Sequence, residues 1–412
     1  MLRKWDAYNT FLLMRVLATF GFSVTFGVNM VYQVAMVGLN PLQLVLVGTT
    51  LELAAFVFEI PTGILADLYS RRLSVIIGYC LIGIGFWVEA IPTFAMVLLA
   101  QLIWGFGYTF ISGASDAWIV DEIGNERANK AFVIASKWSQ IAGFLGLWVS
   151  ILLGLIRLNM PHLVGGGSLI VLSAILIVIM PEEGFQRVPA EERESWRDLF
   201  KVFGEGVKLM RLRPILIMIV GSSLLIGLFS EGWDRLHTAH LLLNFALPDA
   251  NSSYETLLLF GVIATVGSIL GFVGTSWLER KNWQTHEQLS TGLMWMYGIV
   301  GLGVLLFAWS TNLIMVLTAL WLMDLARTLS QPLFMSWINN HIDSKVRATV
   351  LSVASQANAI GQIAGGPPVG YLGILTSLRI ALSVSGLLML PAVLLVTQIR
   401  AKGRESVEVV TI

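Results

Sequence analysis

Gly63-Ile64-Leu65-Ala66-Asp67-Leu68-Tyr69-Ser70-Arg71-Arg72 is the stretch that decides how this chain folds. An acidic residue closes one hydrophobic run and two arginines open the next, with a polar break of only a few residues between them. Apolar runs of similar length recur along all 412 residues. The chain is 56% apolar and 13% charged, about half the roughly 25% charge of a soluble domain. Its 39 glycines and 14 tryptophans are types favoured at helix contacts and at membrane interfaces. The formal net charge is zero, which argues against a nucleic-acid partner. The single cysteine, Cys80, excludes an intrachain disulfide.

A bilayer core of about 30 Å needs about 20 apolar residues per helix. Twelve segments meet this requirement, near 8–36, 42–68, 73–91, 94–120, 128–156, 162–180, 213–243, 254–278, 288–309, 312–340, 348–372 and 376–399. Met1 to Lys4 leads directly into an apolar run without a small-residue cleavage site, which reads as a retained first helix. With the N-terminus inside, twenty Lys and Arg residues fall on inner segments and two, Arg157 and Arg379, on the outer side. This bias puts both termini in the cytoplasm. The polar stretch 181–212 divides the chain into residues 1–180 and 213–412, the second with a short cytoplasmic tail. Within it Trp196, Leu199, Phe200, Phe203 and Val207 recur at helical spacing. They predict either an amphipathic helix on the membrane face or a solvated linker. Arg127-Ala128 recurs as Arg347-Ala348, and Gln140-Ile141-Ala142-Gly143 as Gln362-Ile363-Ala364-Gly365. An internal repeat of this kind places a substrate site between halves, near the bilayer midplane.

The Gly63–Arg72 stretch resembles the loop between helices 2 and 3 of the major facilitator superfamily, written G-x-x-x-D-x-x-G-R-R/K. Ser70 stands where the second glycine is usual. The resemblance implies an all-α integral membrane protein with twelve transmembrane helices in two six-helix bundles. It implies a secondary transporter working by alternating access, not an enzyme, with no cofactor and usually monomeric. Gly63, Asp67, Arg71 and Arg72 would form a conformational latch, with Asp121 or Glu122 at the end of helix 4 as acidic partners.

Charges inside the spans are the strongest evidence from the residues themselves, because ionisable groups in hydrocarbon are costly and usually line a cavity or pair. Glu52 and Glu59 are seven apart, two turns on one face of helix 2. Glu52 falls roughly 15 Å from the outer boundary at the helical rise, a depth suited to carrying a proton or meeting a cationic substrate. Either glutamate could instead pair with Arg15 or Lys137. Asp116 could pair with Lys137 across helices 4 and 5. Asp324 and Arg327 are three apart on helix 10, close enough to neutralise each other. On helix 7, Glu231 and Arg235 are four apart, beside Asp234, and suggest an outer gate of ion pairs. His237 and His240 supply only two metal ligands, so no metal site is expected. Trp104, Trp118, Trp138, Trp295, Trp321 and Trp337 could line a cavity for flat hydrophobic compounds, or simply pack helices.

Helix 7 also resembles a bacterial branch near the multidrug and tetracycline exporters. The functional expectation is therefore proton-coupled efflux of hydrophobic or cationic small molecules across the inner membrane. The alternative within the same fold is a nutrient or metabolite symporter or facilitator. It gains from two departures from the export pattern: Gln101 occupies the place of an arginine four residues before Gly105, and Gly143, Gly146 and Gly154 of helix 5 lack an adjoining proline. No H-E-x-x-H, G-x-S-x-G or P-loop motif is present to support an enzyme.

Overall fold

A computed structural model of the chain describes residues 5–185, 214–245, 247–248, 254–281, 283–342 and 344–408. Twelve long helical segments follow the predicted runs. They are α1 (Ala7–Met36), α2 (Pro41–Leu68), α3 (Arg71–Glu89), α4 (Phe94–Ile123), α5 (Asn125–Ile156) and α6 (Met160–Ile179). The others are α7 (Pro214–Asn244), α8 (Tyr254–Lys281), α9 (His286–Trp309), α10 (Leu313–His341), α11 (Ser344–Leu375) and α12 (Leu378–Gln398). Apart from residues 181–185, the stretch expected to hold an amphipathic helix lies outside the described residues.

Ten of these helices are long and apolar enough to cross a membrane. The other two, α7 and α11, carry some of the polar side chains that line the site described below, Ser230 and Asp234 on α7 and Asn358 and Gln362 on α11. Two helices are locally irregular for identifiable reasons. The last turns of α1 are π-helical over Tyr32–Met36, which rotates the side chains there off the regular register. Helix α4 breaks at Gly113, whose φ of 76° is open to glycine at little cost.

The described contacts sort the chain into two compact units. Unit 1 takes α1, α2 from Thr50 onward, α3 to α6, and α8 as far as Gly261. Unit 2 takes the Asn40–Thr49 start of α2, α7, α8 from Val262, and α9 to α12. Within unit 1, α1 packs on α5, and α3 packs on α4 and α6. Within unit 2 the counterparts hold, α7 on α11 and α9 on α10 and α12. Small residues permit these approaches: Gly78 lies on Gly107, Gly83 on Gly166, and Gly227 on Gly361. The unit 1 core includes Phe11, Met14, Ile82, Phe86, Trp118 and Leu172.

Candidate functional site

Helical spacing builds a polar pocket inside unit 2. On α7, Ile226, Ser230 and Asp234 stand at intervals of four and share one stripe. On α10, Arg327, Ser330, Gln331 and Phe334 recur at i, i+3, i+4 and i+7 along one face, and on α11 Asn358 and Gln362 are four apart. These side chains, with Phe229, Tyr297, Val300 and Met389, line a cavity of about 150 Å³. Arg327 clasps Asp234 with both guanidinium nitrogens; the Nη2 to Oδ2 bond is 2.8 Å. The guanidinium also lies 5.9 Å from the Phe229 ring centroid, within cation–π range. Gln362 Nε2 donates to Asn358 Oδ1 at 2.8 Å, and Asn358 Nδ2 to the Ser223 carbonyl at 3.1 Å. Tyr297 is 2% exposed and lines the cavity, yet its hydroxyl makes no hydrogen bond with the described residues.

This geometry corrects one expectation. Arg327 does not neutralise Asp324 one turn earlier; it reaches across to Asp234 of α7. Sequence spacing shows which groups share a helix face but not which way that face turns, and here it turns toward α7. Asp324 is half-buried and makes none of the described ion pairs, although His237, Arg327 and Asp234 act on it electrostatically.

The next stripe of α7 does form the pair its spacing implies. Arg235 Nε donates to Glu231 Oε1 at 3.1 Å, with Glu231 only 3% exposed. The start of α2 sits directly on this pair. A Cβ on Gly48 would collide with the Glu231 carboxylate and the Arg235 guanidinium. Gly366 of α11 is equally closed in; a Cβ there would meet Val45 Cγ1 at 2.5 Å and Glu231 Cγ at 2.8 Å.

In unit 1 the Asp67–Arg72 loop is an ion-pair and capping cluster. Arg71 binds Asp121 closely and Asp67 at 3.4 Å. Arg72 donates through Nη2 to the Ile177 carbonyl at 2.5 Å. Ser70 has φ −175°, extended backbone that requires no glycine. Its hydroxyl accepts from the Leu73 amide at 2.9 Å, capping α3, and donates to Glu182 Oε2 at 2.7 Å. Glu182 Oε1 accepts from the Arg72 amide at 3.0 Å. Glu122 accepts the amides of Glu183 and Gly184, each at 2.7 Å. Gly63 has open space around its Cα, so packing makes no demand for glycine there. Glu182 was not among the residues expected from the sequence, because it lies beyond the last helix of its half.

The remaining charges within the spans of unit 1 are dispersed. The Asp116–Lys137 pair does not form; both side chains are exposed, and Asp116 instead accepts from Ser115 at 3.2 Å. The two lie on different helices, and adjacency in sequence does not turn their faces together. Arg15 stacks over Phe11 at 6.0 Å, and Arg15 and Lys137 make none of the described ion pairs. Glu52, Glu59 and Arg15 all act electrostatically on the Tyr108 hydroxyl, so α1, α2 and α4 present these groups within one neighbourhood. The expected tryptophans do not line the unit 2 pocket. Trp118 and Trp337 are core residues at 1% exposure, and Trp321 donates to the Ile263 carbonyl at 3.1 Å.

A second polar cluster in unit 1 was not anticipated. Glu89, the last residue of α3, is fully buried. Its carboxylate accepts from Gln33 Nε2 at 2.8 Å and Gln101 Nε2 at 3.2 Å, with His162 Nε2 at 3.9 Å. A glutamate within an apolar run was the available signal; its place at the very end of the span hid it.

Comparison with known proteins follows from this geometry. The sequence matches the Major Facilitator Superfamily over residues 11–366. It is 24% identical over 369 residues to the uncharacterised MFS-type transporter YxaM of Bacillus subtilis (strain 168), covering 86% of this chain and 87% of that protein. The crystal structure of the nucleoside transporter NupG is similar with a TM-score of 0.75 at 16% identity, over 96% of this chain and 99% of that one. A POT family transporter in complex with 5-aminolevulinic acid is similar with a TM-score of 0.72 at 13% identity, over 96% of each chain. With its twelve helices, its ion-paired Asp67–Arg72 loop and this match along most of its length, the chain is a multi-pass membrane protein and belongs to the Major Facilitator Superfamily.

Proposed function

We propose that the protein is a secondary transporter of a small polar solute, a metabolite or nutrient carrier, which holds its cargo at the Asp234–Arg327 pocket. The observation that carries this reading is the lining of that pocket. One ion pair, three side-chain amides, two serines and the buried Tyr297 hydroxyl surround about 150 Å³. Such a lining suits a compact hydrogen-bonding solute, or one polar moiety of it, because its polar groups are left unpaired by a purely apolar ligand. Efflux of hydrophobic drugs finds less support, since the tryptophans that would serve it lie elsewhere. The nucleoside transporter and the POT family transporter solved in complex with 5-aminolevulinic acid share this fold, which accords with the reading.

The same proposal includes alternating access between two six-helix halves joined by residues 181–212. It includes a monomer in the inner membrane with both termini cytoplasmic, and protons as the coupling ion. The Asp67–Arg71–Asp121 cluster serves as the latch of the cycle, and Glu231–Arg235 as the gate of unit 2.

A thermal-unfolding screen of the purified protein tests it. The panel pairs nucleosides, amino acids, dipeptides, sugars and organic acids with cationic and neutral drugs. A specific ligand raises stability by about 2.7 kcal/mol at a hundred times its Kd. Stabilisation by a polar metabolite, lost in Arg327→Ala, is the expected result. Stabilisation by drugs alone would overturn the reading in favour of multidrug efflux.

A further inference from the structure

We propose that the buried cluster around Glu89 in unit 1 is a proton-binding site, with the Glu89 carboxylate as the acceptor. Four elements build it. The π-helical end of α1 brings Tyr32 and Gln33 to the same place. The Tyr32 hydroxyl donates to the Glu89 carbonyl at 2.6 Å, and Gln33 Nε2 spans Glu89 Oε1 at 2.8 Å and Asn29 Oδ1 at 3.2 Å. Helix α4 supplies Gln101, whose own Oε1 accepts from Trp104 at 2.8 Å. Helix α6 supplies His162, fully buried, 3.0 Å from Asn29 Oδ1 and 4.5 Å from the Tyr32 ring. Asn159, ahead of α6, donates to the Ala90 carbonyl at 3.0 Å.

Donor and acceptor accounting shows what this cluster lacks. Asn29 Oδ1 accepts from Gln33, so His162 Nε2 beside it carries the hydrogen and His162 Nδ1 is a bare acceptor. Gln33 Oε1, Asn159 Oδ1 and His162 Nδ1 are all buried and receive no hydrogen bond from the described residues. The cluster is thus rich in acceptors and short of hydrogens. Uptake of one proton takes the fully buried carboxylate from charge −1 to neutral, with no leaving group. Helix ends add to the asymmetry. Glu89 closes α3, where the partial negative charge of the helix opposes an anion. His162 lies in the first turn of α6, where the partial positive charge opposes an imidazolium. The proton therefore resides on Glu89 while His162 stays neutral. Tyr32 of α1 also acts on Glu89, and the exposed Arg157 acts in turn on Tyr32. Gln101 connects the site, through its hydrogen bond from Trp104, to an aromatic group of Phe22, Phe26, Phe86 and Trp104.

Coupling of this proton to transport rests on the function proposed above, but its binding does not, so the test uses no substrate. Infrared difference spectra are recorded on the full-length protein in liposomes, in sodium-free buffer alternating between about pH 4.5 and about pH 8.5, a window spanning carboxyl and imidazole titration. The expected result is a protonated-carboxyl band that appears at the acid pH, shifts in D₂O, persists in Glu52→Gln and is absent in Glu89→Gln. Gln101→Leu removes an N–H donor to the carboxylate and should move the midpoint of that band upward by about one pH unit, a tenfold change. This second variant keeps the test decisive if Glu89→Gln does not fold. A band unchanged in Glu89→Gln, an unmoved midpoint in Gln101→Leu, or a band that follows added sodium and not pH would overturn the proposal. None of these outcomes touches the unit 2 pocket, so the transporter reading stands or falls separately.

Discussion

Asp234 and Arg327 are 42% and 35% exposed. Ion pairs so open to solvent contribute only about 0–1 kcal/mol to folding. Asp234→Asn should therefore lower the unfolding temperature by a few degrees at most. If the pair holds the solute, the same change should weaken binding about tenfold to a hundredfold, the worth of one charge-assisted hydrogen bond. Titration of the polar ligand found by the screen, followed by unfolding temperature, checks both numbers on one sample. The neighbouring pair should behave oppositely. Glu231 is only 3% exposed, and withdrawing its cation in Arg235→Met should cost about 3 kcal/mol of stability. Thermal unfolding of the two variants side by side would show whether burial separates their roles. Ser70 gives a third case, because its hydroxyl both caps α3 and binds Glu182. Ser70→Ala should destabilise by about 1 kcal/mol, and Ser70→Gly by less, since glycine caps better than alanine. Equal loss in both variants would instead assign the effect to the Glu182 bond.

At the scale of helices, the start of α2 is seated on α7 and α11 by the absence of two side chains. Gly48 admits the Glu231–Arg235 pair, and Gly366 admits Val45 and Glu231. A leucine at 366 would overpack this seat by about 1–3 kcal/mol. A transporter must reorganise such contacts in its cycle, so the penalty should fall on the conformer in which α2 is seated. Labelling of a Thr49→Cys thiol by a membrane-impermeant reagent should then speed up by about tenfold or more in Gly366→Leu, because 1.4 kcal/mol is a factor of ten. An unchanged labelling rate would mean that the seat is fixed and takes no part in the cycle. The helices themselves were legible in the sequence: the predicted runs agree with their helices to within a few residues, except that the last helix continues to Glu408, beyond the predicted end at 399. Length and hydropathy suffice for that, since the bilayer sets the length. Helix rotation was not legible. The sequence offers Arg327 two acids, Asp324 on its own helix and Asp234 on another, and only packing selects Asp234. The same ignorance of rotation left Asp116 and Lys137 looking like partners. Glu89 and His162 escaped notice for a different reason, because each sits at the end of an apolar run, where polar residues are ordinary.

For the whole molecule, the long apolar helices show that the chain crosses the membrane many times but leave its direction open. Charge supplies the argument. Lys and Arg are retained on the cytoplasmic side during insertion, and twenty of them fall on the set of loops and helix ends that includes both termini, against two on the opposite set. On the proposed topology of twelve crossings the chain returns to its starting side, which would put both termini in one compartment. A fluorescent protein that matures only in the cytoplasm, fused after residue 412, should therefore be bright, and a phosphatase that folds only outside it should be inactive there. The same phosphatase inserted at Gly38, in the turn between α1 and α2, should be active. Arg157 and Arg379 mark this outer set, and adding lysines beside Gly38 should lower the yield of inserted protein without inverting it, because the opposing bias is so large. A bright fluorescent insertion at Gly38 would reverse the proposed orientation.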